Sequence, residues 1–132
     1  MTMNVVAVAE ANFINFLSLL MEFDLMPEWI PFMEKGETLK ELTERRRLVR
    51  VSVGLPWPLA GRELFSEGTI FFIEDENAIL FSLKSPAKDV WFGKKIKRDP
   101  KKVELVYNKA FMFIKPLSSK KTLFKFIVNG DP

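Results

Sequence analysis

The 132-residue sequence contains no histidine and no cysteine. Ser-His-Asp triads, Cys-His pairs and zinc sites built on either residue are therefore excluded, as are disulfides. A chain without thiols fits a reducing compartment. The glycine patterns that cradle phosphates and dinucleotides are absent as well, so no cofactor and no metal site is expected. Carboxylates are what remains for acid–base work. Glu22 and Asp24 close a helical stretch, and Glu74-Asp75-Glu76 with Asn77 falls between two strand patterns, where a solvated hairpin tip is expected. The N-terminal region lacks the basic start of a signal peptide, and Glu10, Asn12 and Asn15 interrupt it too often for a membrane span. A cytoplasmic protein is the expectation.

What the sequence has in excess is phenylalanine, 13 residues, within a chain that is 48% hydrophobic and 28% charged. Such a chain is long enough for one core and too short for two, so residues 1–132 read as a single domain. A large purely apolar ring suits either a core or the wall of an apolar cavity. The net charge of +3 is modest for a nucleic-acid partner.

In chain order, Asn4 to Val8 is short and β-branched, a first strand. From Asn12, placed as an N-cap, Phe13, Phe16, Leu17 and Leu20 recur at helical spacing and make one apolar face. Pro27 suits the first position of a further helical turn through Trp29, and Pro31 with Gly36 ends the helical region. Strand patterns follow at Leu48 to Val53, Leu64 to Ile73, Ala78 to Leu83, Val103 to Ile114 and Thr122 to Val128. Ile70 to Ile73 is apolar on both faces, which predicts cover on both sides. Arg45-Arg46-Arg47 reads as a solvated hairpin tip. Between Ser85 and Lys102 there is no clear period, and a segment of that length is commonly functional or mobile. Strands joined by short turns with one strong helix near the start give α+β, a largely antiparallel curved sheet around that helix.

Pro56 and Pro58 interrupt the ladder at Trp57, and Gly61 lets the chain turn, so Val53 to Phe65 is a stiff corner between two strands. This corner, Leu55-Pro56-Trp57-Pro58-Leu59 followed by Arg62-Glu63, resembles the Trp-Pro and Arg-Asp segment of the START lipid-binding domains, related to steroidogenic acute regulatory protein. Glu22-Phe23-Asp24-Leu25 with Trp29-Ile30-Pro31 is similar to the end of that family's helix after its first strands. Phe126 to Asn129 with Gly130-Asp131-Pro132 is similar to its last strand and the Asp-Pro before its closing helix. Glu63 stands where the family commonly has Asp. In order and spacing the resemblance covers roughly Phe13 to Pro132.

The resemblance implies the helix-grip fold of START and Bet v 1-like proteins, with a strand from Thr38 to Leu42 and an apolar cavity between sheet and helix. Neither the family's further N-terminal strands nor its C-terminal lid helix is expected in full within this sequence. It also implies non-catalytic binding, and intermembrane transfer, of a lipid, sterol or similar apolar ligand, with Ser85 to Lys102 as a loop on the lid side. An uncovered apolar face predicts homodimerisation.

The motif marks Arg62 as a ligand-binding candidate, and pattern alone adds Trp29, Trp57, Phe71, Phe81, Tyr107, Phe111 and Phe126. Trp91 and Phe92 beside Lys94, Lys95, Lys97 and Arg98 are candidates for docking on an anionic membrane. Three alternatives stand beside lipid binding. A cyclase-like enzyme of the same fold would need a cavity acid or base from Tyr107, Glu67 or Arg62. A nucleic-acid-binding module would use the basic residues with Trp91 and Phe92 as stacking platforms, and a protein-binding module is the remaining alternative.

Overall fold

The computed structural model describes residues 2–28 and 30–129. In chain order the elements are β1 (Thr2–Ala9), α1 (Phe13–Met21), a 3-10 turn at Phe23–Glu28, β2 (Met33–Thr43), β3 (Arg46–Val53) and β4 (Arg62–Ile73). A short 3-10 turn at Glu74–Glu76 leads to β5 (Ala78–Lys84), followed by β6 (Val90–Trp91), β7 (Lys94–Lys95), β8 (Val103–Leu105), β9 (Lys109–Ser118) and β10 (Lys121–Asn129). The main sheet runs β1-β10-β9-β5-β4-β3-β2, with β8 beside β4, and β6 and β7 form a separate ribbon. Every neighbour along the main path is antiparallel, and β8 alone pairs in parallel, at Arg62 to Leu64. The class is α+β, as expected. Among the described residues no helix is long and apolar enough to cross a membrane.

The helix begins where its cap predicts. The Asn12 carboxamide oxygen accepts from Ile14 N–H at 2.9 Å, which satisfies one of the donors a helix start leaves open. Its amide donates to the Ser119 carbonyl at 3.1 Å, and the buried Thr122 hydroxyl donates to the Ala11 carbonyl at 2.9 Å. These two bonds pin the start of α1 to the β9–β10 turn. The Phe16 and Phe124 rings then meet edge to face at 5.8 Å, which lays the apolar stripe of α1 on the sheet. No residue of α1 is fully buried, so that stripe is only partly covered.

Strand register sorts the sheet into two faces. On the face that meets α1, the inner face, one row of partners reads Val5, Phe126, Met112, Phe81 and Ile70. A second reads Met3, Val128, Ala110, Leu83, Gly68 and Arg47. On the outer face Leu48 and Phe65 form a small core with Trp91 and Ile96, flanked by Leu39 and Leu42.

Several boundaries differ from expectation, each for a physical reason. Gly36 lies inside β2 rather than ending a helix: a Cβ there would stand 2.4 Å from the Phe23 carbonyl oxygen, so it is the point where the 3-10 turn crosses the strand. Pro27 sits late in that turn, which begins at Phe23. The expected strand from Val103 to Ile114 is two strands, because β8 leaves the path to pair with the start of β4. The end of β4 is not covered on both sides, since Phe71 and Phe72 are about half exposed.

Candidate functional site

On the inner face, α1 and the 3-10 turn stand over the middle of the sheet and leave a cleft of about 110 Å3 between them. Leu20, Met21, Phe23 and Met26 form its roof. Val49, Gly68, Ile70, Phe81, Leu83 and Met112 form its floor, and Arg45 and Arg47 complete the wall. The floor needs Gly68: a Cβ at that position would reach to 2.9 Å from a Leu83 methyl and project into the space. An engineered apolar cavity of about 150 Å3 holds benzene, so this cleft has room for a slender apolar group at most.

Near the cleft, Tyr107 hydrogen-bonds through its hydroxyl to Ser66, a buried residue on the same face two positions before Gly68. Burial pushes the Tyr107 phenol up to about 12; the bond to Ser66 works against that rise and the Glu67 charge adds to it. The group stays protonated at neutral pH and acts as a hydrogen-bonding group, not as a base. Because its folded pKa is raised, its contribution to stability is complete below about pH 10 and is lost as pH climbs toward 12. As the chain's one tyrosine it can be followed alone. Tyrosinate absorbance should rise with a midpoint near 12 in the native protein, against about 10 in the unfolded chain. A native midpoint near the unfolded one would show that the ring is solvated.

The residues singled out from the sequence are distributed unevenly. Phe81 lines the cleft, and Phe126 lies in the same inner row. Phe71 and Phe111 are each one residue out of phase and belong to the outer face, where the Lys109 ammonium lies 5.1 Å from the Phe111 ring. Trp57 is 93% exposed, because the corner stands away from the sheet, and it takes no part in the cleft. Arg62 donates to the carbonyls of Ala60 and Gly61, which staples the corner to itself. Trp29 and the Asp131-Pro132 pair lie outside the described residues.

The expected lid-side loop is on the other side of the sheet. Its Trp91 indole is 5% exposed, packed on Leu48 and Phe65, so it is not available for membrane insertion. Phe92 is half exposed, Lys94, Lys95 and Lys97 are solvated, and Arg98 is bound to Asp89 at 2.7 Å and Glu104 at 2.6 Å. The Glu104 hydrogen bond, then that of Asp89, raises the Arg98 pKa against the cost of burial. A depression of about 330 Å3 on this face is lined by Arg46, Glu67, Lys84 and Lys88, where Glu67 already pairs with Lys84 at 3.3 Å.

Glu63 is the residue whose role the sequence understated. It is 1% exposed, its carboxylate accepts from Arg50 Nε and Nη2 at 3.2 and 2.9 Å, and its second oxygen accepts from Asp99 N–H at 2.8 Å. The Arg-Glu pair of the corner motif is thus an anchor: Arg62 fixes the turn and Glu63 fixes the 85–102 segment to the outer face.

No family model matches the sequence, and no curated protein does. Solved structures do. The human StarD13 (DLC2) lipid transfer and protein localization domain is similar over 98% of this chain and 62% of its own, with TM-score 0.80 and 13% identity. Human STARD10 is similar over 99% of this chain and 51% of its own, with TM-score 0.80 and 12% identity. The Zhui aromatase/cyclase from Streptomyces sp. R1128 is similar over 99% and 67%, with TM-score 0.62 and 12% identity. The chain therefore spans between about half and two thirds of the length of these structures. Identities this low carry the architecture alone, and on that architecture the two human structures agree: the chain has the helix-grip fold of the START domains, broadly taken.

Proposed function

We propose that this chain is a non-catalytic binding module that holds an apolar or amphiphilic small molecule between α1, the 3-10 turn and the inner face of the sheet. The carrying observation is the cleft itself, whose walls come from six separate elements and are apolar except for two arginines. Leu20, Met21, Phe23, Ile70, Phe81, Leu83 and Met112 are all only partly buried, so a guest that covers them removes apolar surface from water at roughly 0.8 kcal/mol per methylene. The lipid transfer named for the StarD13 domain supports the same reading.

The enzymatic alternative has a named counterpart in the Zhui aromatase/cyclase. Here its candidate groups point apart: Tyr107 bonds to Ser66 on the inner face, Glu67 pairs with Lys84 on the outer, and Arg62 is occupied by the corner. Binding is the reading that uses the geometry as it stands.

Gly68→Val tests it. The new side chain occupies the floor, and the only close atom is the far end of Leu83, which can move. A β-branched residue also suits a strand interior better than glycine. Affinity for a fluorescent apolar probe should fall at least about tenfold, a difference of about 1.4 kcal/mol, while the unfolding midpoint holds or rises. A folded variant with unchanged affinity would place the probe elsewhere.

A further inference from the structure

The two inner rows of the sheet do not end alike at their two sides. On the β1 side they end in Val5 and Met3. On the β2–β3 side one runs through Arg47, directly opposite Gly68, to Glu41 on β2, and the other ends at Arg45, whose carbonyl accepts from Ile70 N–H at 2.8 Å. An apolar wall therefore runs into a pair of guanidinium groups, and both line the cleft.

Away from the cleft, Arg50 is held by Glu63, Arg98 by Asp89 and Glu104, and Arg62 by backbone carbonyls. Arg46, on the outer face, lies 4.0 Å from Glu67 and over the Trp91 and Phe92 rings. Arg45 and Arg47 donate no side-chain hydrogen bond to any described residue. Arg47 is 22% exposed, and its nearest carboxylate is that of Glu41, 3.7 Å away and 57% exposed, which is charge contact without a hydrogen bond. Arg45 lies over the Phe72 ring at 4.6 Å, which holds it at the rim. Neither is sealed off, since the described buried polar atoms without a partner do not include theirs. Each offers a planar fork of donors matched to a carboxylate or phosphate, next to a slot for a chain.

We infer that the guest of the cleft is a single-chain amphiphile with an anionic end group, its chain against Phe81 and Met112 and its charge on Arg45 and Arg47. This rests on the binding reading above. It names the guest's polarity, which a purely apolar cavity would leave open. The arginines supply most of the discrimination, because an anion left without them would lose its compensation for leaving water.

The test compares palmitate, hexadecyl phosphate, hexadecanol and inorganic phosphate as competitors of a bound apolar probe, on wild type, Arg45→Gln/Arg47→Gln and Arg45→Lys/Arg47→Lys. Palmitate and hexadecyl phosphate should each bind about tenfold or more tighter than hexadecanol, the range for hydrogen bonds to a charged group. Inorganic phosphate, lacking a chain, should not compete. The glutamine variant should bring both anions down to about the affinity of the alcohol, while the lysine variant keeps part of the preference. Equal affinity for palmitate and hexadecanol on wild type overturns the inference and leaves the cleft reading standing. Competition by none of the chain compounds overturns both, and competition by inorganic phosphate as strong as that of hexadecyl phosphate overturns the inference, since the chain would then contribute nothing.

Discussion

Replacing Glu63 with alanine is expected to lower the unfolding free energy by about 3–5 kcal/mol, a large share of the 5–15 kcal/mol typical of a domain. The carboxylate is sealed at 1% exposure and holds three N–H groups, two from Arg50 and one from Asp99. Truncation leaves the Arg50 guanidinium, 22% exposed, with only Glu37 at 3.7 Å, and frees Asp99 from the sheet. Glu63→Gln separates the two effects, because it keeps an acceptor for Asp99 N–H while removing the charge opposite Arg50. Its loss should fall between that of alanine and zero. Urea denaturation followed by intrinsic fluorescence measures both, and an alanine variant within about 0.5 kcal/mol of wild type, the range of ordinary surface changes, would refute the anchoring role.

Trp91→Ala should cost a similar amount, about 3–5 kcal/mol, the range for a large aromatic deleted from a packed interior. The indole packs with Leu48, Phe65 and Ile96, and Leu39 and Leu42, both only partly buried, lie against the same cluster. Phe92→Ala is the internal control. The two rings touch, with centroids 4.9 Å apart, yet Phe92 is 51% exposed, so its removal should change stability far less than that of Trp91. Nearly equal costs for the two variants would mean that the indole is as solvated as its neighbour. The pair of measurements also bears on membrane contact: a side chain that holds the fold together is not spare for insertion.

Legibility in the sequence followed the strength of local signals. The helical period of Phe13, Phe16, Leu17 and Leu20 with the Asn12 cap located α1 closely, because cap and stripe are both encoded within one turn of each other. Strand alternation located β3, β4, β5 and β10 to within a few residues. Facing was less legible. Phe71 and Phe111 were expected at the ligand, and the residues that face it are their neighbours Ile70 and Met112; in strands with apolar residues on both faces, period two gives no sign of which set points inward. Glycine carried an ambiguous signal too, since Gly36 could end a helix or admit a crossing backbone, and only the Phe23 carbonyl decides between them. Arg45 and Arg47 read as a solvated hairpin tip because a charge run shows nothing of the wall it borders. The corner resemblance was informative about architecture, while its Trp57 proved to be 93% exposed.

The central claim, that the space between α1, the 3-10 turn and the inner face takes up an amphiphile, is tested most directly by methyl NMR of the methionines. Met21, Met26 and Met112 line the cleft from three elements, and Met3 stands half exposed on β1 outside the lining. On titration with palmitate the three cleft methyls should shift together along one saturating curve, with nuclear Overhauser contacts to the acyl chain, while the Met3 methyl stays in place. Shifts confined to Met3, or no saturable shift at Met21, Met26 and Met112, would contradict the account.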